Sequence, residues 1–235
     1  MTAPAEQTRR SPLYRALAED GARFEALGDH AVARDFGRDA ADEAARAEAL
    51  GLADLTPLPR VGFKGWNAGP WLAQAGAEMG EASNRAYPQA DGTRIARLAP
   101  GEALVLADRA GRGPLIESLR QAWSMAEADG CFHVARQETS CWLLLTGAHA
   151  AGMLAKVCAV DLRPGSFAAD SIAQTNVARL NAIVIRGDIG AVPAFDLLAD
   201  SASAVYLWGA LLDAMAEHDG APIGLAAIGA LLERG

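Results

Sequence analysis

Arg179, Asn181 and Arg186 interrupt a run, Val177 to Ile185, that otherwise reads as a buried strand. Two residues apart on such a strand, Arg179 and Asn181 share a face. A guanidinium presents a planar fork that matches a carboxylate, so these three residues are the candidates for holding a carboxylate-bearing ligand or for pairing across a subunit interface. The plainer alternative is the solvent face of a half-buried strand. Asp91 is the one carboxylate set apart for general acid–base chemistry, although Asp91-Gly92 also has the composition of a turn.

Other chemistries lack their residue patterns. His30, His133, His149 and His218 are scattered singly, without an i, i+4 pair or an acidic cluster beside them, so no metal site is expected. Cys131, Cys141 and Cys158 show no C-x-x-C spacing and read as small buried hydrophobes. A thiolate pair of His133 with Cys131 or Cys141 would need a spatial contact that spacing does not supply. Ser124 and Ser140 lack the Gly-x-Ser-x-Gly setting of a nucleophile elbow. Gly62-Phe63-Lys64-Gly65 and Thr146-Gly147 lack both the Gly-Lys-Ser/Thr ending and the Gly-x-Gly-x-x-Gly spacing of phosphate loops.

The elements that position these residues come from a chain of 235 residues, long enough to bury a core without disulfides or metals. A net charge of −8 opposes binding to a phosphate backbone, so nucleic acid is not an expected partner. The apolar runs Cys141 to Leu145 and Ile183 to Ile185 fall far short of the about 20 residues that span a bilayer, and no membrane association is expected. Met1 to Glu6 contains no basic region followed by an apolar core, which makes the cytoplasm the default compartment.

The chain also carries an internal echo. Phe63-Lys64-Gly65-Trp66-Asn67-Ala68 returns 82 residues later as Leu145-Thr146-Gly147-Ala148-His149-Ala150, and Ala96-Arg97-Leu98 returns at the same offset as Ala178-Arg179-Leu180. The expected organisation is an N-terminal helical and extended arm over residues 1–59, a first α+β half over 60–130 and a second over 131–235. In the arm, Ser11-Pro12 starts a helix, Leu13, Leu17, Phe24 and Leu27 follow at helical spacing broken near Gly21, and residues 39–50 form a helix ending at Gly51. Each half runs strand, helix, strand, strand, helix. In the first, a polar passage around Asn84 to Gly92 precedes a hairpin of Thr93 to Leu98 and Ala103 to Ala107. In the second, Ser171 to Arg186 is one strand and Ala194 to Ala199 another. Trp71, Trp123, Trp142 and Trp208 are expected in the core. The fold class is α+β, an antiparallel-rich sheet with helices on one face.

Ser11-Pro12-Leu13-Tyr14, Gly21-Ala22-Arg23-Phe24, Leu52-Ala53-Asp54-Leu55 and Val61-Gly62-Phe63-Lys64-Gly65 resemble the glycine-cleavage T protein, a folate-dependent aminomethyltransferase. Trp142 to Gly147, Val160-Asp161-Leu162-Arg163-Pro164 and Ala173 to Leu180 are more similar to the gamma subunit of heterotetrameric sarcosine oxidase, a shortened relative of the T protein. The resemblance implies two duplicated halves with a pseudo-twofold relation. T proteins carry Ser-Arg-Thr-Gly-Tyr-Thr-Gly-Glu-x-Gly-Phe-Glu-Leu, whose tyrosine and glutamate belong to the folate site. The corresponding stretch, Ile185 to Leu197, has Ile189 for the tyrosine and Val192 for the glutamate. The family's Gly-Gly-x-x-Asp-Asp pattern is reduced to Asp91-Gly92. The resemblance therefore implies a non-catalytic scaffold in an oxidative N-demethylation complex, which turns sarcosine into glycine and passes the one-carbon unit to tetrahydrofolate. Its partners would be larger flavoprotein subunits that hold flavin and NAD, with tetrahydrofolate a possible but not firmly bound ligand of this chain. The alternatives are a stand-alone tetrahydrofolate-dependent transferase using Asp91 as acid or base and Arg186 as a carboxylate clamp, and a folate-binding regulatory protein without transfer activity.

Overall fold

The computed structural model describes Ala3 and residues 6–234; the rest of the opening from Met1 to Ala5, on which the leader reading bears, and Gly235 lie outside the described residues. In chain order the elements are β1 (Arg9–Arg10), α1 (Tyr14–Glu19), β2 (Arg23–Leu27), β3 (His30–Asp35), α2 (Ala40–Leu50) and β4 (Gly51–Asp54). Then follow β5 (Arg60–Lys64), α3 (Ala68–Gln74), β6 (Arg85–Pro88), β7 (Arg94–Ala99), β8 (Glu102–Leu106), α4 (Pro114–Ala122) and β9 (Phe132–Val134). The chain closes with β10 (Ser140–Thr146), α5 (Ala150–Leu154), β11 (Ile172–Val177), β12 (Leu180–Arg186), β13 (Ala194–Asp200), α6 (Ala204–Met215), β14 (Ala221–Pro222) and α7 (Leu225–Arg234).

These elements form two compact units. One comprises residues 1–57, 140–169 and 173–235; the other comprises 58–139 with 170–172. The first contains a six-stranded sheet ordered β11-β12-β13-β10-β4-β14 and a small sheet ordered β1-β3-β2. The second contains a five-stranded sheet ordered β6-β7-β8-β5-β9. β10 is flanked by β13 and β4, and its run from Cys141 to Leu145 is buried on both faces, which explains why it is continuously apolar rather than alternating. In the second unit, Val61 and Phe63 of β5 and Ala103 and Val105 of β8 share one core with Trp71 and Leu72 of α3 and Ile116 and Leu119 of α4. Strand alternation puts those sheet residues on one face, so both helices cover the same side.

The two sheets repeat one plan. β5, α3, β6, β7, β8 and α4 correspond in order and sheet position to β10, α5, β11, β12, β13 and α6, with β9 beside β5 as β4 lies beside β10. Gly65 and Gly147 stand at the equivalent strand-to-helix turns, with φ of 137° and 112°. A Cβ on Gly65 would lie 2.0 Å from the Gly130 carbonyl oxygen, and one on Gly147 would lie 2.3 Å from that of Ala49. Those carbonyls accept from the N–H groups of Asn67 and His149 respectively, each at 3.1 Å. The first echo is therefore a repeated backbone junction.

The second echo is not. Ala96 to Leu98 lie inside β7, whereas Ala178 and Arg179 form the two-residue turn between β11 and β12, with φ of 48° and 67°. The expected strand from Ser171 to Arg186 is accordingly two strands. The arm over 1–59 is also corrected: Leu13, Leu17, Phe24, Leu50 and Leu52 lie in the same core as β10 and α6, and β4 pairs directly with β10. Phe24 and Leu27 belong to a hairpin, β2 with β3, turned at Gly28 with φ of 60°, so their spacing only imitated a helix. The polar passage around Asn84 contains β6. α2 matches its expected bounds, opened by Asp39 accepting from the Asp42 N–H at 2.8 Å and ended at Gly51.

Gly147→Ala is expected to destabilise the protein by more than about 2 kcal/mol, because the left-handed backbone and the Ala49 carbonyl both oppose a side chain. Gly209→Ala, on the exposed side of α6 with open space around it, is expected to stabilise it by about 0.5–1 kcal/mol. Urea unfolding of the two variants against the parent chain measures both.

Candidate functional site

Arg186 ends β12 with its guanidinium buried. Its Nε donates to Asp188 Oδ1 at 3.0 Å and its Nη2 to Asp188 Oδ2 at 2.7 Å. Its Nη1 donates to the Phe167 carbonyl. The Asp188 carboxylate raises the Arg186 pKa further above its ordinary value, against the opposing effect of burial. Asp188 Oδ1 also accepts from the Ala194 N–H at 3.3 Å. Arg186 is thus a staple between the start of β13 and the loop ending at Phe167, and its fork is taken up within the chain.

Between Arg186 and β13 the backbone makes a tight hairpin. The Ile189 and Val192 N–H groups each donate to the other's carbonyl at 2.9 Å, and Gly190 takes a φ of 56° at the tip. The hairpin is tied to the Gly147 turn, whose N–H donates to the Pro193 carbonyl at 2.8 Å. Ile189, Val192 and Pro193 line a cleft of about 390 Å³ with Ala148 and with Leu231 and Arg234 of α7. Arg234 Nη1 is bound to Glu48 Oε1 at 3.0 Å at its margin. A pterin needs polar partners for its ring nitrogens, amine and carbonyl. The hairpin presents hydrocarbon at both positions, and the backbone groups of Ile189 and Val192 are already paired, so these residues do not fit one.

Arg179 and Asn181 do not share a strand face. Arg179 sits in the turn, exposed, where it lines a second cleft of about 460 Å³ with Lys156, Tyr206 and Asp213. Asn181 Oδ1 accepts from Asn176 Nδ2 at 3.0 Å across the same hairpin. Asp91 lies in the other unit. Its carboxylate accepts from the Thr93 hydroxyl at 2.6 Å, the Thr93 N–H at 3.0 Å and the Leu115 N–H at 3.2 Å, which closes a turn and caps α4. Burial works to raise its pKa, but these hydrogen bonds outweigh it and hold the carboxyl below the usual range.

Two features escaped the sequence reading. His149 and His218, far apart in sequence, stack with ring centroids 4.5 Å apart; among the described residues they belong to no cluster suited to a metal. Trp66 is 75% exposed, while Trp71, Trp142 and Trp208 are buried as expected and the half-buried Trp123 donates to the Cys131 carbonyl at 2.9 Å. The three cysteines are buried and, among the described residues, form no disulfide. Among the described residues no helix is long and apolar enough to cross a membrane.

The repeated five-strand plan and its glycine turns define an aminomethyltransferase-like α+β fold. The GCVT N-terminal domain family matches residues 13–235, and the chain belongs to that family. It is similar in structure to a chain of the heterotetrameric sarcosine oxidase from Corynebacterium sp. U-96, with 21% identity and a TM-score of 0.67 over 90% of this chain and 97% of that one. It is also similar to the glycine cleavage system aminomethyltransferase T from Bartonella henselae, with 20% identity and a TM-score of 0.73 over 95% of this chain and 62% of that one. At these identities the likeness is one of fold, and the chain spans less than two thirds of the T protein. No curated protein matches in sequence.

Arg186→Leu leaves Asp188 without its counter-charge and is expected to cost about 2–4 kcal/mol in urea unfolding. Asp91→Ala is expected to cost about 1 kcal/mol at pH 7 through loss of the turn and cap. Because the folded-state pKa of Asp91 is depressed, its contribution is present above the unfolded value of about 4 and is lost as pH falls through the lower folded value. The difference between Asp91→Ala and the parent chain should therefore shrink when unfolding is measured at progressively more acidic pH.

Proposed function

We propose that the chain is a non-catalytic, gamma-type scaffold subunit of a sarcosine-oxidase-like assembly. In this reading, larger flavoprotein subunits carry flavin and NAD, oxidise an N-methyl amine and pass its one-carbon unit to tetrahydrofolate, while this chain braces them. The observation that carries the reading is the 189–192 hairpin. Its two positions aligned with polar folate-site residues are Ile189 and Val192, both lining a cleft, with their backbone groups paired to each other.

Two further observations support it. The Arg186 fork, the proposed clamp of a stand-alone transferase, is filled by Asp188 and the Phe167 carbonyl. Asp91 spends its carboxylate on a turn and a helix start, a structural occupation that weakens the case for an acid or base there.

Affinity-tagged chain isolated gently from its native source is expected to bring larger subunits with it in fixed ratio, seen as flavin absorbance in the same chromatographic peak. Recovery of the chain alone, with the flavoprotein activity eluting elsewhere, would overturn the reading.

A further inference from the structure

The duplicated junctions allow one unit to be used as a template for the other. Ala49 and Gly130 are equivalent, because each offers its carbonyl to the helix that follows the glycine turn and each blocks a Cβ on that glycine. Glu48 and Asp129, the residues before them, are then also equivalent, as are Ala148 and Trp66, the residues after the two glycines.

On the first unit this neighbourhood is covered by α7. The helix packs along α2 and β3 and buries Ala227, Ile228 and Leu231. Leu231 and Arg234 face Ala148 across the cleft, and Arg234 binds Glu48 at 3.0 Å. On the second unit the chain passes from β9 straight to β10, so among the described residues that unit has no counterpart of α7. Trp66 and Phe132 are 75% and 56% exposed there. The Trp66 ring lies against Gly130, where a Cβ would meet it at 2.2 Å, and Phe132 lies 3.3 Å from the Cβ position of Gly65. Exposed aromatic residues gathered at one junction mark a contact surface.

The charges indicate what covers it. Asp129, the counterpart of Glu48, is exposed and makes no ion pair among the described residues. Glu127 beside it is exposed as well, and the cation nearest in sequence to Trp66, Lys64, is held by Glu102 at 3.2 Å. Asp129 therefore lacks the basic partner that Arg234 supplies to Glu48 on the first unit.

We infer that the Trp66 and Phe132 face of the second unit docks an apolar-striped helix of a partner chain, with a Lys or Arg three residues beyond its apolar anchor, in the place that α7 takes on the first unit. The Leu231 to Arg234 spacing gives the anchor and the cation one helix face. This inference rests on the subunit reading and names the surface and the partner element that it requires.

The test uses the assembly isolated from the native source with tagged parent chain, Trp66→Asp, Asp129→Lys, and Val205→Asp on the exposed side of α6. Unchanged circular dichroism melting establishes that each variant folds. Trp66→Asp and Asp129→Lys are expected to retain at least about tenfold less of the flavoprotein subunits than the parent chain, and Val205→Asp as much as it does. A photo-crosslinking residue in place of Phe132 is expected to label a helical segment of a larger subunit with that apolar-to-basic spacing. Parent-like assembly of both variants, equal loss in all three, or crosslinks to an extended segment or a second copy would overturn the docking surface while leaving the subunit reading intact. Failure of the parent chain to assemble would overturn both.

Discussion

At the Gly147 turn the backbone passes so close to the Ala49 carbonyl that no side chain fits between them, and the first unit is organised around that approach. The turn ends β10, the central strand, and starts α5. Its neighbours reach the end of α2, through His149 N–H to the Ala49 carbonyl and through the Thr146 hydroxyl to that of Ala47 at 2.9 Å. Its own N–H holds Pro193, and hence the hairpin carrying Ile189 and Val192. Gly65 does the same for the second unit, with Gly130 and Gly101 as its partners. A left-handed backbone in contact with another backbone leaves glycine as the only unstrained choice at both positions.

The polar groups of this region serve the fold. Arg186 and Asp188 satisfy one another and two backbone groups, and Trp142 donates to the buried Asp196 at 2.9 Å. Burying such groups is tolerable only when each has a partner. A guanidinium already forked onto a carboxylate cannot offer the same donors to a ligand without leaving Asp188 uncompensated. The framework of the aminomethyltransferase-like fold and a vacant ligand fork are therefore competing uses of one residue, and here the framework has it.

Much of this was legible in the sequence where local physics and tertiary packing agree. Residues 39–50 and Gly51 delimited α2, and the spacing of Gly65 and Gly147 marked the repeated junction. The first 57 residues misled because Phe24 and Leu27 imitate helical spacing while Gly28 turns a hairpin, and because nothing local announces that β4 pairs with β10 across the chain. Ala178 and Arg179 misled for a related reason. Both adopt the left-handed conformation that usually selects Asn or Gly, so their turn was hidden inside an apolar run. At the site, the replacement of polar residues by Ile189 and Val192 was visible by resemblance. The occupation of Arg186 was not, since its partners Asp188 and Phe167 meet only after the loop folds back.

The proposed reading is that the family fold is kept here without its folate site. Calorimetric titration of the purified chain with tetrahydrofolate under anaerobic conditions tests it most directly. The account predicts no saturable binding up to about 1 mM ligand, whereas stoichiometric binding with a micromolar Kd, about −8 kcal/mol, would contradict it.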